Sequence, residues 1–180
     1  MARKANKPIQ IPKDVDVKFN DSNVSVKGPK GLLQLQIENG IKLVINDDKI
    51  VVESEKCNKE HSNFIGLYHS LVQNMIEGTT KGYEVVLEME GVGFRAAVQG
   101  QNLSLQVGFS HPTLLPIPQG IEVKIEKNTK IFVSGIDKRL VGQFAANVSA
   151  IKPPEPYLGK GIRKQGQYVR RKAGKSAAKK

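Results

Sequence analysis

Ile11-Pro12-Lys13-Asp14-Val15-Asp16-Val17-Lys18-Phe19 and Ile117-Pro118-Gln119-Gly120-Ile121-Glu122-Val123-Lys124-Ile125 share one pattern: Ile-Pro, two further residues, then apolar residues at every second position. Side chains alternate across a strand, so this spacing predicts strands with one buried and one wet face. Both runs reverse through polar turns, Asn20-Asp21-Ser22-Asn23 and Lys127-Asn128-Thr129. Each then re-enters as a second alternating strand, Val24 and Val26 ending at Gly28, Ile131 and Val133 ending at Gly135. The offset is 106 residues before the turn and 107 after it, and it reads as an internal duplication.

Each copy carries a helical stripe. Phe64, Leu67, Tyr68, Leu71, Met75 and Ile76 recur at the helical period, with Gly78 as the expected stop. Val141, Phe144, Ala145, Val148 and Ile151 repeat the stripe, with Asp137 placed as its cap and Pro153-Pro154 as its end. Gly66 and Gly142 sit one turn into their helices. A glycine there costs about 1 kcal/mol, so close packing against a sheet is the expected reason for both.

The remaining apolar runs read as strands. Leu33, Leu35 and Ile37 face Ile41, Leu43 and Ile45 across Asn39-Gly40, a strong hairpin signal, and Ile50 and Val52 follow Asp47-Asp48. Val85/Leu87/Met89, the run from Phe94 to Val98, and Leu103/Leu105/Val107 read as a meander turning at Gly100-Gln101-Asn102. Short links imply antiparallel pairing, and a half-buried sheet needs a helix on its apolar face. The expected fold class is therefore α+β: two tandem copies of an antiparallel sheet packed against one helix, with a basic C-terminal tail. Expected bounds are 1–82, 83–152 and, for the tail, 153–180.

Charge separates the tail from the rest. The chain has 180 residues and a net charge of +11; residues 152–180 hold ten Lys or Arg against Glu155 alone, about +9, which leaves about +2 for the first 151. Such a concentration seeks a polyanion, because each neutralised phosphate releases a condensed counterion. An anionic membrane surface is the competing partner. No apolar stretch approaches the ~20 residues of a membrane span, and no Trp- or Phe-bearing amphipathic helix adjoins the tail. Met1-Ala2-Arg3-Lys4 lacks the apolar segment of a secretory signal. Cys57 is the single cysteine, which excludes a disulfide or a cysteine-based metal site within one chain.

Signatures of catalysis are missing. His61 and His69 are two helical turns apart, too far to share a metal, and His111 stands alone. Gly91-Val92-Gly93 resembles the start of a dinucleotide fingerprint, but Ala96 replaces the third glycine and a strand follows, so a tight turn is expected. Glu84, Glu88 and Glu90 alternate on one strand face and read as an outward polar face. Ser110-His111 precedes Pro112 in a loop with no acid placed for a triad. A small hydrolase and a free-standing nucleic-acid regulator are the alternatives considered. Neither a convergent polar pocket nor a recognition helix, RRM aromatic pair or zinc finger supports them.

Pro153-Pro154-Glu155-Pro156-Tyr157-Leu158-Gly159-Lys160-Gly161-Ile162-Arg163 strongly resembles the signature segment of the bacterial-type large-subunit ribosomal protein six family. Tyr168-Val169-Arg170-Arg171-Lys172-Ala173-Gly174-Lys175 continues the match. So do Glu90-Gly91-Val92-Gly93-Phe94-Arg95-Ala96, Val107-Gly108-Phe109-Ser110-His111-Pro112, Val26-Lys27-Gly28-Pro29-Lys30-Gly31 and Asn74-Met75. The blocks stand in family order across nearly the whole chain. The resemblance implies a non-enzymatic constituent of the large ribosomal subunit in the cytoplasm. It would bind 23S-type ribosomal RNA near the sarcin–ricin loop and the landing site of translational GTPases, with neighbouring proteins at the stalk base. No cofactor, metal, membrane or small-molecule substrate is implied. The RNA-binding residues it implies are Tyr157, Gly159, Lys160, Gly161, Arg163, Lys164, Arg170, Arg171, Lys172 and Lys175, with Arg95, Ser110 and His111 as lesser contributors. Leu158 stands where the family usually has Lys, Lys164 where it has Tyr, and His69 where it has Arg, which relocates basic charge by a few residues.

Overall fold

The computed structural model describes residues 7–20, 22–38, 40–46, 49–54 and 59–174, the side chains of 54 and 59–63 excepted. The expected turn residues Asp21, Asn39, Asp47 and Asp48, together with Cys57, the side chain of His61 and Lys175, lie outside that description. The chain divides into two compact units: residues up to Tyr83 with Ile136–Lys138, and Glu84–Gly135 with everything from Arg139 on.

The first unit contains β1 (Ile9–Gln10), β2 (Asp16–Asn20), β3 (Asn23–Gly28), β4 (Gly31–Gln36), β5 (Ile41–Asn46), β6 (Lys49–Ser54) and α1 (Lys59–Thr80). These strands form two three-stranded sheets, in order β2-β3-β4 and β1-β6-β5. The pairings are antiparallel, with Val17 opposite Val26, Val24 opposite Leu35, Leu43 opposite Val52 and Ile9 opposite Ile50. The alternation places Val24, Val26, Ile41, Leu43, Ile50 and Val52 inward, where they close one core with Tyr68, Val72, Met75 and Ile76 of α1. Removing such a side chain from water contributes roughly 1.5–3 kcal/mol, and the stripe on α1 is what buries the sheets' apolar faces.

The second unit follows the same plan: β7 (Tyr83–Glu90), β8 (Arg95–Gln99), β9 (Asn102–Gln106), β10 (Thr113–Pro116), β11 (Ile121–Glu126), β12 (Lys130–Gly135) and α2 (Lys138–Ile151). Its sheets run β8-β9-β10 and β11-β12-β7-β13, where β13 is Gly161–Lys164. Leu87, Met89, Leu103, Leu105, Ile131 and Val133 are buried, as are Val141, Phe144, Ala145 and Val148 of α2.

The duplication is real, but its register differs from the one expected. Strand order pairs β2-β3-β4 with β8-β9-β10 and β1-β6-β5 with β7-β12-β11, so the repeat is 79 residues between Asp16 and Arg95 and between Asn23 and Asn102. The offset of 106 instead matches the first hairpin of one copy to the second hairpin of the other. The local likeness behind it is genuine: Val15 N donates to Pro12 O (3.1 Å) and Ile121 N to Pro118 O (3.3 Å), the same tight entry into a strand. Any half-buried hairpin after such a turn shows this pattern, so the pattern cannot say which hairpin it is.

Four local expectations are corrected. Asn39-Gly40 does not join a hairpin, because β4 pairs with β3 and β5 with β6, in different sheets. Gly40 has φ 102°, so the left-handed reversal is present, but a reversal alone does not choose the next strand's partner. β7 likewise leaves the expected meander for the other sheet, while β8 and β9 do turn at Gly100-Gln101. Gly78 lies inside α1, which runs on to Thr80, and a Cβ there would stand 3.1 Å from the Tyr83 ring. At Gly142 a Cβ would meet nothing within 4 Å, so close packing does not explain that glycine.

Gly28 is the opposite case. A Cβ there would lie 2.8 Å from both Cβ and O of Thr79, whose carbonyl accepts from Lys30 N (3.1 Å). Gly28→Ala is therefore expected to lower stability by about 1–3 kcal/mol through overpacking. Gly142→Ala should raise it by up to about 1 kcal/mol, because α2 gains a better helix former in open space. Denaturant midpoints of the two variants check both signs.

Tyr83 makes a second test of this packing. Its hydroxyl lies 3.1 Å from Asn74 O and 3.3 Å from Glu77 Oε2. Burial, then the Glu77 charge and the hydrogen bond to it, push the phenol up to about 12. A raised pKa favours the neutral phenol in the folded chain. Its contribution to stability is complete below the unfolded value of about 10 and is lost as pH climbs from there towards 12. In a titration of phenolate absorbance, a step near pH 12 is expected from Tyr83. Tyr83→Phe should remove that step.

Candidate nucleic-acid interface

Three segments of the second unit converge at one end because of how its strands are paired. β7 ends at Glu90, and the loop 91–94 leads to Arg95, the first residue of β8. Arg95 is opposite Gln106, the last residue of β9, so it stands beside the loop 107–112. The Phe94 ring joins the two loops: a Cβ on Gly91 would be 2.8 Å from it and one on Gly108 3.5 Å. Phe94 N also donates to Gly91 O (3.3 Å), the tight turn expected at Gly91-Val92-Gly93. Lys152, just past α2, sets its ammonium 5.0 Å from the Phe109 ring centroid and so draws the start of the C-terminal segment to the same end. Arg95, Ser110 and His111 are exposed there.

The tail is expected to comprise a Pro/Gly-shaped element docked in a fixed conformation, 153–163, and a basic extension, 164–180; the structure folds both the first and the start of the second back into the unit. Glu155 N donates to Lys160 O (2.8 Å), Gly159 N to Glu155 O (2.9 Å) and Ile162 N to Lys152 O (2.8 Å). Gly161–Lys164 then pair antiparallel with Leu87–Glu90 as the fourth strand of the sheet. Ile162 is fully buried, and Ser149 Oγ on α2 donates to its carbonyl (3.0 Å). The chain then turns, with Gln167 N donating to Lys164 O (3.0 Å), and returns so that Lys172 N meets Pro156 O (2.8 Å). With a single apolar residue in Gly161-Ile162-Arg163-Lys164, no alternation could announce a strand.

This folding sorts the expected site residues. Gly161 is bare for an internal reason: at φ 145° a Cβ would stand 2.6 Å from Pro153 O and Pro154 Cα. Gly159, at φ 76°, lies under the Arg171 guanidinium, whose Nε and Nη2 are 3.3 Å from where a Cβ would be. Arg163 pairs with Glu90 on the outer face of the sheet, beside the Lys130–Glu88 pair at 3.4 Å. Two of the three β7 carboxylates are thus matched by cations from the strands on either side, and the third, Glu84, remains exposed. Both pairs are half-buried, and they cancel the acids nearest the loops.

Lys160, Lys164, Arg170, Arg171 and Lys172 remain exposed. Among them stand Tyr157 at 52% exposure, Leu158 and, most open, Tyr168 at 87%. Guanidinium and ammonium groups donate to phosphates, and exposed aromatic faces accept stacked bases, so the surface has both halves of a nucleic-acid contact. Lys152, Phe109 and Tyr168 belong to this surface although residue patterns did not single them out. Lys152 and Phe109 are far apart in the chain, and only folding brings them together. Among the described residues no three His, Cys, Asp or Glu side chains could hold a metal ion, and no helix is long and apolar enough to cross a membrane.

A family model described as Ribosomal protein L6 matches residues 11–82 and 90–165. Its two blocks begin 79 residues apart, the same repeat that the strand order shows. The chain is 53% identical over 180 residues to the large ribosomal subunit protein uL6 of Protochlamydia amoebophila, covering all of both chains. It is 49% identical over 178 residues to uL6 of Chlamydia pneumoniae, covering 98% of this chain and 97% of that one. It is 48% identical over 179 residues to uL6 of Synechocystis, covering 99% and 100%.

Gly161→Ala is expected to destabilise the second unit by several kcal/mol, since it combines a left-handed φ with a backbone clash. Lys160→Ala, beside it but exposed, should leave stability within about 0.5 kcal/mol of the parent. Thermal unfolding of both variants separates the residue that shapes the loop from the one that faces outward.

Proposed function

The chain belongs to the Ribosomal protein L6 family, and on that footing we propose that it grips large-subunit ribosomal RNA with the end of the second unit where the loops 91–94 and 107–112 meet the folded-back segment 152–172. It is a structural constituent of the large ribosomal subunit, not an enzyme. The observation that carries the proposed contact is that convergence: the Phe94 ring lies against both loops, Lys152 reaches Phe109 and Lys172 returns to Pro156, while Arg95, Tyr157, Lys160, Tyr168, Arg170, Arg171 and Lys172 are exposed. In functional terms the repeats 1–82 and 83–152 act as scaffold, and 153–180 acts with the second repeat as a single RNA-facing body.

Roles differ by residue. Lys160, Lys164, Lys172 and Lys175 serve phosphates as point charges, and Arg170 and Arg171 as forked donors. Arg163, already paired with Glu90, orients the strand and offers its remaining donors outward. Tyr157 stacks on a base or ribose, and Ser110 and His111 offer hydrogen bonds to sugar or base edges. Gly159 and Gly161 shape the loop that presents Lys160. The family resemblance supports a location near the sarcin–ricin loop and the landing site of translational GTPases, beside the stalk base, in the ribosome of the cytoplasm.

Binding to 23S-type RNA should weaken steeply with salt, since six to ten phosphate contacts correspond to roughly 10³–10⁵ in affinity between 50 and 200 mM. Replacing Arg170, Arg171 and Lys172 together by Ala should lower the slope of log K against log salt by about 2–3. Chain ending after Lys164, which keeps β13, should stay folded yet bind RNA more weakly. An unchanged slope and affinity in both variants would falsify the assignment.

A further inference from the structure

The two units differ at one sheet edge. In the second, β7 is flanked by β12 on one side and β13 on the other. In the first, β1 holds the place of β7 beside β6, and among the described residues no strand lies beyond it. A groove of about 500 Å³ lies there, between Lys7–Pro12 and α1, with His69, Gln73, Ile76 and Glu77 along its helical wall. The corresponding space in the second unit is filled by Ile162, held through its carbonyl by Ser149. Counted from Gly66 and Gly142, Gln73 occupies the helix position of Ser149, and His69 that of the fully buried Ala145.

His69 is the second observation. It is 95% buried, and its Nε2 lies 2.9 Å from Lys7 O, which makes Nε2 the protonated nitrogen. Nδ1 is then an acceptor, and it is buried without a hydrogen-bond partner among the described residues. Native interiors rarely leave such a group unsatisfied.

We propose that the first unit receives an extended segment of a second protein in this groove, paired to the outer edge of β1 as β13 is paired to β7. The second unit supplies its own strand because residues 152–160 carry the chain from α2 back to the sheet edge. Only Lys81 and Gly82 separate α1 from β7, so the first unit has no such length to spare. Edge strands present unpaired backbone groups, and strand addition with alternate side chains entering a groove is a recurrent way of satisfying them. The occupant carries an aliphatic residue that enters between β1 and α1, as Ile162 does. It also carries acidic residues beside Lys7 and Lys81, because the one acid lining the groove among the described residues, Glu77, is already engaged by Gln73 and Tyr83.

The inference is independent of the RNA contacts proposed above, whose failure would appear in the salt dependence of RNA binding. Amide exchange over Lys7–Ile11, compared between the full chain alone and the chain in assembled large ribosomal subunits, is expected to slow by about tenfold or more. A photo-crosslinking side chain in place of Gln73, or of the exposed Lys81 if the first variant does not assemble, is expected to capture a protein segment with alternating aliphatic residues. Unchanged exchange overturns the proposal. So does slowed exchange with a crosslink only to RNA, only to residues 1–6 of the same chain, or to nothing.

Discussion

The burial of Ile162 between β7 and α2 is the interaction on which the functional end of the molecule depends. Its side chain contributes roughly 1.5–3 kcal/mol by leaving water, and the paired backbone of Gly161–Lys164 completes the sheet edge at the same time. Everything before it and after it is positioned by that anchor. Residues 153–160 become a closed loop with fixed ends, and residues 165–172 become a return path that lays Arg171 over Gly159. A basic segment that would otherwise sample many conformations is thereby presented largely preorganised, which reduces the ordering entropy that RNA binding must overcome.

The duplicated plan shows how the same grammar can serve different ends. In both units a tight turn enters a hairpin, two small sheets share a core, and one helix covers them. The copies diverge where the helix ends. After α1 the chain passes almost at once into β7, whereas after α2 it makes a loop, a strand and a return. The added length puts positive charge and the exposed Tyr157 and Tyr168 on the second unit, while among the described residues β1 is the edge strand of its sheet in the first. A buried histidine facing a groove in one copy and a buried alanine beside a filled slot in the other are two solutions to the same packing position.

Much of this was legible from residue patterns where the physics is local. Alternation marked β2, β3, β11 and β12, the apolar stripes marked α1 and α2, and Ile151 followed by Pro153-Pro154 marked the end of α2. The family itself was legible in Pro153–Arg163. Registers and partners were not. Asn39-Gly40 signals a reversal but not that β5 leaves the sheet of β4, and the Ile-Pro motif signals a strand entry but not which hairpin of its copy it opens. Gly78 resembled a stop because glycine often ends helices, yet the bonds on either side of it let α1 continue.

The order of residues by itself determined the fold class, the existence of a repeat, the concentration of positive charge after residue 152 and the family, because periodicity, charge and motif are properties of neighbours along the chain. Tertiary structure alone decided that Gly161–Lys164 is a strand, that Arg163 is matched by Glu90 and that Lys152 reaches Phe109. Each of these is a contact between segments far apart in the chain. Such contacts are chosen by which apolar faces can be buried together, and local spacing carries no record of that choice.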